Sequence, residues 1–191
     1  MIFEPTPIEG AFVVKPERHE DERGHFARLW CRDEFAAHSI EVEMVQANVS
    51  YTRLAGTLRG MHFAWPPSRE GKLVRCSRGR IHDVIVDLRP SSPTFLDRFV
   101  IVLADRGHAA LFVPHGLAHG FQTLEDNCEV TYMMTDRYRP ELAAGYAWDD
   151  PAFRIHWPLP VSCIAGRDCS YPRFDADAHR RAFSGHAAAA H

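Results

Sequence analysis

Between residues 72 and 134 the chain is a succession of short apolar and β-branched runs separated by turn residues. Residues 73–76, 81–88, 99–103, 109–113, 119–124 and 129–134 read as strands. Ser77-Arg78-Gly79, Arg89-Pro90-Ser91-Ser92-Pro93 and Glu125-Asp126-Asn127 punctuate them. Strands recurring roughly every 8–12 residues with turns between them specify an all-β sandwich or barrel rather than a parallel α/β sheet. No glycine-rich phosphate loop opens a helix, which argues against a Rossmann or P-loop nucleotide site. Internal repeats and long linkers are also missing, so the chain reads as one domain.

Upstream, residues 1–15 alternate around Phe12-Val13-Val14 and read as a strand entered through Pro5 and Pro7. A polar turn over residues 19–26 closes at Gly24, with a strand expected over 26–30. Residues 33–38 suit a short helix capped by Asp33. Residues 42–51 return to strand character, with Gln46, Asn48 and Ser50 on one face. That face is either solvated exterior or the lining of a polar cavity. After Trp157-Pro158-Leu159-Pro160 the periodicity is lost, and the chain is expected to wrap over the barrel surface. The domain is assigned to residues 1–175, and the Ala- and His-containing segment 176–191 is read as a frayed tail.

A formal net charge of -3 and a pI near 6.4 give no support for bulk binding to nucleic acid or an anionic membrane. No run approaches the roughly 18 apolar residues of a membrane span. Met1-Ile2-Phe3-Glu4-Pro5 lacks the pattern of a signal peptide, which makes the cytoplasm the default address. The five cysteines form no CxxC pair and leave an odd count, which favours reduced structural thiols over a disulfide framework or zinc knuckle.

Chemistry concentrates in Leu58-Arg59-Gly60-Met61-His62-Phe63 and, at short range, Glu70-Gly71-Lys72-Leu73-Val74-Arg75. In a regular strand Arg59, Met61 and Phe63 would share one face and His62 the other. Arg59 and His62 can point the same way only if the strand is twisted or bulged, and Gly60 is where that is easiest. A lone histidine among apolar residues is usually a packing residue. Surrounded by basic residues, it points instead to a site that binds an anion and moves a proton.

A second dense segment is Val113-Pro114-His115-Gly116-Leu117-Ala118-His119-Gly120-Phe121, followed by Glu129-Val130-Thr131-Tyr132, Tyr138-Arg139-Pro140 and Trp148-Asp149-Asp150-Pro151. With Asp21-Glu22-Arg23-Gly24 and Ser92-Pro93-Thr94-Phe95, these motifs resemble the dTDP-4-dehydrorhamnose 3,5-epimerase family, the RmlC-like cupins, over residues 3–168. The resemblance implies an all-β double-stranded β-helix, the cupin jelly roll, with short peripheral helices. It implies His62 as general base, Tyr132 as general acid, Asp168 as the carboxylate paired with the base, and Lys72 as a cation near the substrate ketone. It also implies that Arg23, Arg59, His119 and Arg167 bind the nucleotide-sugar and that Gln46 and Asn48 lie in the substrate-contacting strand. Arg23 is expected to come from a partner subunit through exchange of N-terminal strands, hence a homodimer.

These residue types suit the chemistry. The C–H bonds flanking a 4-keto sugar's carbonyl are acidified, and an imidazole oriented by a carboxylate can lift such a proton near neutral pH. An ammonium stabilises the enolate, a phenol returns a proton from the opposite face, and guanidinium forks match a diphosphate. No metal or redox cofactor is needed. A rival from another class is a metal-dependent cupin enzyme using His62, Glu70 and His119, which Lys72 and Tyr132 do not suit. A non-catalytic sugar-binding cupin is another. Departures from the common family pattern fall at Arg28, Ala47, Ala64, Ala143 and Trp65-Pro66-Pro67. They bear on the sugar, on the nucleotide base (dTDP or CDP), and on whether C3, C5 or both are inverted.

Overall fold

The computed structural model describes residues 1–188. In chain order its strands are β1 (Ile2–Pro5), β2 (Phe12–Lys15), β3 (Arg18–Asp21), β4 (Gly24–Ala27), β5 (Gln46–Thr52), β6 (Thr57–Ala64), β7 (Lys72–Arg78), β8 (Arg80–Asp87), β9 (Arg98–Ala104), β10 (Ala110–Val113), β11 (Leu117–Thr123), β12 (Cys128–Met134), β13 (Ala143–Gly145) and β14 (Cys163–Ile164). Three α-helices, α1 (Arg32–Ala36), α2 (Gly166–Cys169) and α3 (Ala176–Ala188), and a 3₁₀ turn at Pro151–Phe153 lie outside the sheets among the described residues. One sheet has six strands in the order β1-β2-β10-β7-β12-β5, and the other has five in the order β13-β6-β11-β8-β9. Pairing is antiparallel except where β14 runs parallel beside β6. The two sheets bear out the all-β architecture expected from the strand spacing, in the cupin jelly-roll form that the resemblance implies.

Side-chain alternation builds the core between the sheets. Val74 and Cys76 of β7, Ile81 and Ile85 of β8, Phe121 of β11 and Val130 of β12 interlock there. Fully burying each large aliphatic side chain contributes roughly 1.5–3 kcal/mol, so this layer dominates the stability. Burial pushes the Cys76 thiol up to about 12, so it behaves as an apolar filler. All five cysteines are free. β11 is buried along its whole length because its outer face is covered as well. Val84, Val86 and Ala118 on that outer face pack with Phe63, Tyr146 and Phe153. By contrast β5, at the sheet edge, alternates strictly between half-buried and exposed positions until Thr52.

The strand that carries most of the sequence signal is irregular where the glycine predicted it. Leu58 pairs with Gln122, Arg59 with Phe121, and His62 with His119, so β6 spends one more residue than β11 over this span. The extra residue reverses the alternation. Arg59 and His62 consequently face the inter-sheet space, while Met61 and Phe63 turn to the outer layer. Gly60 sits at φ +140, and a Cβ there would lie 2.6 Å from the Gly120 Cα.

Several local expectations need correction. The polar segment after residue 18 is a hairpin of β3 and β4, with Asp21 opposite Gly24 and only Glu22 and Arg23 at its tip. That tight turn starts the second strand at Gly24 and ends it at Ala27, not at residue 30. Asp33 does not cap α1. Cys31 occupies the cap without a side-chain hydrogen bond, and Asp33 lies in the first turn, where its charge still favours the helix dipole. The segment read as a frayed tail is, over Ala176–Ala188, the 13-residue helix α3. His179 is its buried anchor. Its Nε2–H donates to the Leu88 carbonyl at 2.7 Å and its Nδ1 meets the Tyr146 hydroxyl at 2.9 Å. The His186 ring stacks on Trp65 at 5.2 Å. Residues 189–191, including His191, lie outside the described residues. No helix among the described residues is long and apolar enough to cross a membrane.

Two glycines give opposite expectations. Gly60→Ala combines a strained φ with a backbone collision and is expected to cost roughly 3 kcal/mol or more. Gly185, in α3, has nothing within 4 Å of a built Cβ. Gly185→Ala is expected to add about 0.5–1 kcal/mol through helix propensity and reduced unfolded-state entropy. Urea unfolding of both variants checks the pair.

A pH dependence follows from α3. Burial lowers the His179 imidazole pKa, outweighing the Leu88 carbonyl that raises it. Burial lowers His82 and His115 in the same sense. The unfolded chain takes up these protons near pH 6.5 while the folded chain resists them. Their stabilising contribution is therefore present above about pH 6.5 and is lost as pH falls toward the depressed folded values. The urea midpoint is expected to drop between about pH 7.5 and about pH 5.5, and less steeply in His179→Ala.

Candidate active site

A cavity of about 380 Å³ opens between the sheets. Even-numbered residues of β5 and β12 line one wall, where Gln46, Asn48, Ser50 and Tyr132 point inward with Lys72 of β7. The opposite wall comes from β6 and β11, which supply Arg59, His62, His119 and Phe121. Arg167 and Tyr171 close the mouth from the C-terminal wrap, with Tyr138 beside them. The polar face of β5 thus lines a cavity rather than the exterior, and the Gln46 amide donates to the Asn48 carbonyl oxygen at 2.9 Å.

Two histidines are each held by a carboxylate. His62 Nε2 donates to Asp168 Oδ1 at 2.8 Å, and Asp168 Oδ2 accepts the Gly60 N–H at 3.1 Å. An ionised carboxylate only accepts, so the His62 proton sits on Nε2 and Nδ1 is left basic. Burial pushes the Asp168 carboxyl up, but the hydrogen bond and charge of His62 and the Gly60 amide outweigh it and hold it below the usual range. Asp168 is buried, whereas His62 keeps 39% of its side-chain surface exposed to the cavity. Across the site, His119 Nε2 donates to Asp83 at 2.9 Å, with both groups buried.

The short helix α2 places Asp168 beneath His62 and turns Arg167 toward the cavity mouth. The Arg167 guanidinium lies 5.7 Å from the Tyr171 ring centre, and the Tyr171 ring meets His62 edge-on at 5.8 Å. Tyr171 reaches this position because Gly145 has no side chain; a Cβ there would come within 2.5 Å of the ring. Burial raises the Tyr132 phenol, with Arg59 opposing and Glu70 reinforcing that shift. It therefore stays protonated through neutral pH. Lys72 Nζ lies 3.3 Å from Glu70 Oε1, both side chains nearly buried.

Of the residues singled out from sequence, His62, Asp168, Tyr132, Lys72, Gln46, Asn48, Arg59, His119 and Arg167 assemble at this one cavity. Arg23 does not. It sits on the β3–β4 hairpin, 83% exposed and paired with Asp21. Of the departures, Ala143 lines the cavity and pairs with Ala64, whereas Ala47 faces outward and Arg28 is paired with Glu34 on the surface. Tyr138, Tyr171, Ser50 and Asp83 were not picked out as site residues. Tyr138 stood inside a noted motif, and Ser50 was already on the polar face of β5. Nothing local in the sequence marks Tyr171 or Asp83, because both act through long-range contacts. Among the described residues no group of three or more His, Cys, Asp or Glu side chains is arranged to hold a metal ion.

The sequence pattern of the dTDP-4-dehydrorhamnose 3,5-epimerase family matches residues 5–176. The chain belongs to this family. The dTDP-4-dehydrorhamnose 3,5-epimerase of Methanothermobacter thermautotrophicus is 43% identical over 159 residues, covering 83% of this chain and 85% of that enzyme. Among solved structures, the Bacillus anthracis dTDP-4-dehydrorhamnose 3,5-epimerase with TDP and pyrophosphate bound superimposes with a TM-score of 0.87 at 34% identity, covering 91% of this chain and 99% of that one. The Legionella pneumophila dTDP-6-deoxy-D-glucose-3,5-epimerase, in complex with dTDP-4-keto-L-rhamnose, gives a TM-score of 0.85 at 30% identity, covering 92% and 95% of the two chains. This member of the epimerase family is therefore an isomerase by class. The family match stops at residue 176, where α3 begins.

Proposed function

We propose that this chain epimerises a nucleotide-activated 4-keto-6-deoxyhexose of the dTDP-4-dehydro-6-deoxyglucose type at C3 and C5. The observation that carries the reading is the His62–Asp168 pair at 2.8 Å, which faces a protonated Tyr132 from the opposite sheet. In this reading His62 Nδ1 removes the proton next to the ketone, and Asp168 stabilises the imidazolium that forms. The electrons move onto O4, where the Lys72 ammonium meets the enolate in a site largely shielded from water. Tyr132 then delivers a proton to the other face of the carbon, which inverts it. Proton exchange with solvent returns His62 to the neutral imidazole and Tyr132 to the phenol, repetition at the second carbon completes the reaction, and no metal or redox step is required.

Binding roles follow from charge. Arg59, Arg167 and His119 are assigned to the nucleotide diphosphate-sugar, with Gln46 and Asn48 to the sugar or base. Arg23 is assigned to the cavity of a partner subunit. The exposed β3–β4 hairpin and the unpaired edge of β5 beside the cavity support a homodimer built by N-terminal strand exchange. Residues 1–175 would then be the epimerase domain. The setting proposed is the cytoplasm, with which five free thiols agree, in deoxysugar supply for a surface polysaccharide or a glycosylated metabolite.

The decisive test incubates wild type and His62→Ala with dTDP-4-keto-6-deoxyglucose in D₂O and follows the sugar protons by NMR. Deuterium at C3 and C5 in wild type alone is expected. Label at one carbon would make the chain a single-centre epimerase, and no label would redirect the search to CDP-sugars and then to a sugar-binding or metal-dependent cupin. Asp168→Asn, which removes the charge that holds the His62 tautomer, is expected to lower kcat by about 100-fold or more. Because the Tyr132 phenol is raised, kcat/KM should show no loss from its ionisation until above about pH 10. Mixing Arg23→Ala with His62→Ala chains should restore roughly a quarter of wild-type activity, since half of a random mixture is heterodimer with one intact site.

A further inference from the structure

The cavity is lined by Arg59, His62, Lys72, His119 and Arg167, and by a single acidic residue, Glu70. A site that receives a diphosphate gains nothing from a carboxylate in its wall unless that carboxylate acts on something else. Glu70 is also not a loosely placed surface acid. Its side chain is 12% exposed, and its backbone is fastened on both sides. The Glu70 N–H donates to Ser68 Oγ at 3.2 Å, and the next amide, Gly71 N–H, donates to Thr135 Oγ1 at 2.7 Å. Ser68 and the Arg69 amide in turn donate to Asp136 just beyond β12, and Thr135 Oγ1 donates to the Arg69 carbonyl at 2.7 Å. The loop is thus tied to the strand that carries Tyr132.

We propose that Glu70 is a positioning residue that holds the Lys72 ammonium at the point where the enolate oxygen develops. The inference rests on the epimerase reading above. A lysine side chain has four rotatable bonds, and an unpaired ammonium in a polar cavity would sample many positions. The Glu70 carboxylate, 3.3 Å away, restricts it to one wall and leaves its remaining protons for the substrate. The distance is long for a charge-assisted hydrogen bond, so Lys72 is guided rather than neutralised. The other charged or titratable groups lining the same cavity are Tyr132 on β12, Arg59 and His62 on β6, His119 on β11, Arg167 on α2, and Tyr138 and Tyr171 at the mouth. Glu70 also reinforces the raised Tyr132 phenol, so its removal acts on the acid as well as the cation.

The test is kinetic and uses Glu70→Gln, which keeps size and shape, Glu70→Asp, and a cycle with Lys72→Met, all read by proton exchange into substrate in D₂O. Glu70→Gln is expected to lower kcat about 10–100-fold, the scale of one misplaced electrostatic group, while KM stays level or falls because the one carboxylate lining the cavity wall is gone. The alkaline limb of kcat/KM should move to lower pH, and Glu70→Asp should regain part of kcat. In the Lys72→Met background, Glu70→Gln should have little further effect on kcat at neutral pH, where Tyr132 stays protonated either way. Equal losses in both backgrounds, or a raised KM with unchanged kcat, would overturn the role and assign Glu70 to the substrate itself. Wild-type protein that exchanges no sugar proton would overturn the underlying reaction, and the proposal with it.

Discussion

The site depends on a contact between two glycines. Where β6 crosses β11, a Cβ on Gly60 would sit 2.6 Å from the Gly120 Cα, so no other residue lets the two backbones approach as closely. That approach accommodates one extra residue in β6, and the extra residue reverses the order of faces beyond it. Without the reversal His62 would point into the apolar outer layer while Met61 entered the cavity. The same glycine offers its N–H to Asp168, whose other oxygen holds His62. One backbone irregularity therefore aims the imidazole and anchors the carboxylate that fixes its tautomer.

The two sheets and the C-terminal wrap divide the remaining work. The five-stranded sheet carries His62, and the six-stranded sheet carries Tyr132 and Lys72, so the proposed base and acid face the cavity from opposite sheets. Neither sheet supplies the side chains that orient His62. Those arrive with residues 166–171, which return across the outer face to reach β6. Helix α3 braces β6 from behind. Its His179 ties the Tyr146 hydroxyl to the Leu88 carbonyl, and Tyr146 exchanges both backbone hydrogen bonds with Met61. Packing energy spent on the outer layer thereby stiffens the strand that carries His62.

Most of this architecture was legible where it is written in short-range pattern. The strands from β7 to β12 declare themselves by alternation and turn residues, and Gly60 declares the bulge by its lack of a Cβ. Segments whose structure is decided by distant partners did not. Helix α3 reads as a polar, Ala-rich tail because its anchors are histidines, and only the Trp65, Leu88 and Tyr146 surroundings turn them into core. Asp83 sits inside an apolar strand with nothing nearby to explain it until His119 is brought alongside. Tyr171 depends on Gly145, 26 positions earlier, which no local period connects to it. The resemblance assigns Arg23 to the nucleotide-sugar site of a partner subunit, and within the single chain it reaches only Asp21.

The charge arrangement separates two tasks that a uniformly basic cavity would confuse. A diphosphate carries its charge before, during and after the reaction, so cations that hold it bind ground state and transition state alike. The enolate oxygen is charged only in passing, and a cation accelerates its formation only if it waits at that place already oriented. Arg59 is tethered to the end of β5 through Thr52 and the Tyr51 carbonyl, and Arg167 stands at the mouth against Tyr171, both at the rim. Lys72 is the cation set deeper, beside Tyr132, and it is the one given a carboxylate neighbour. In the proposed reaction, pairing it costs some attraction for the diphosphate, which the rim arginines make good, and gains a fixed position for the charge that matters to the barrier.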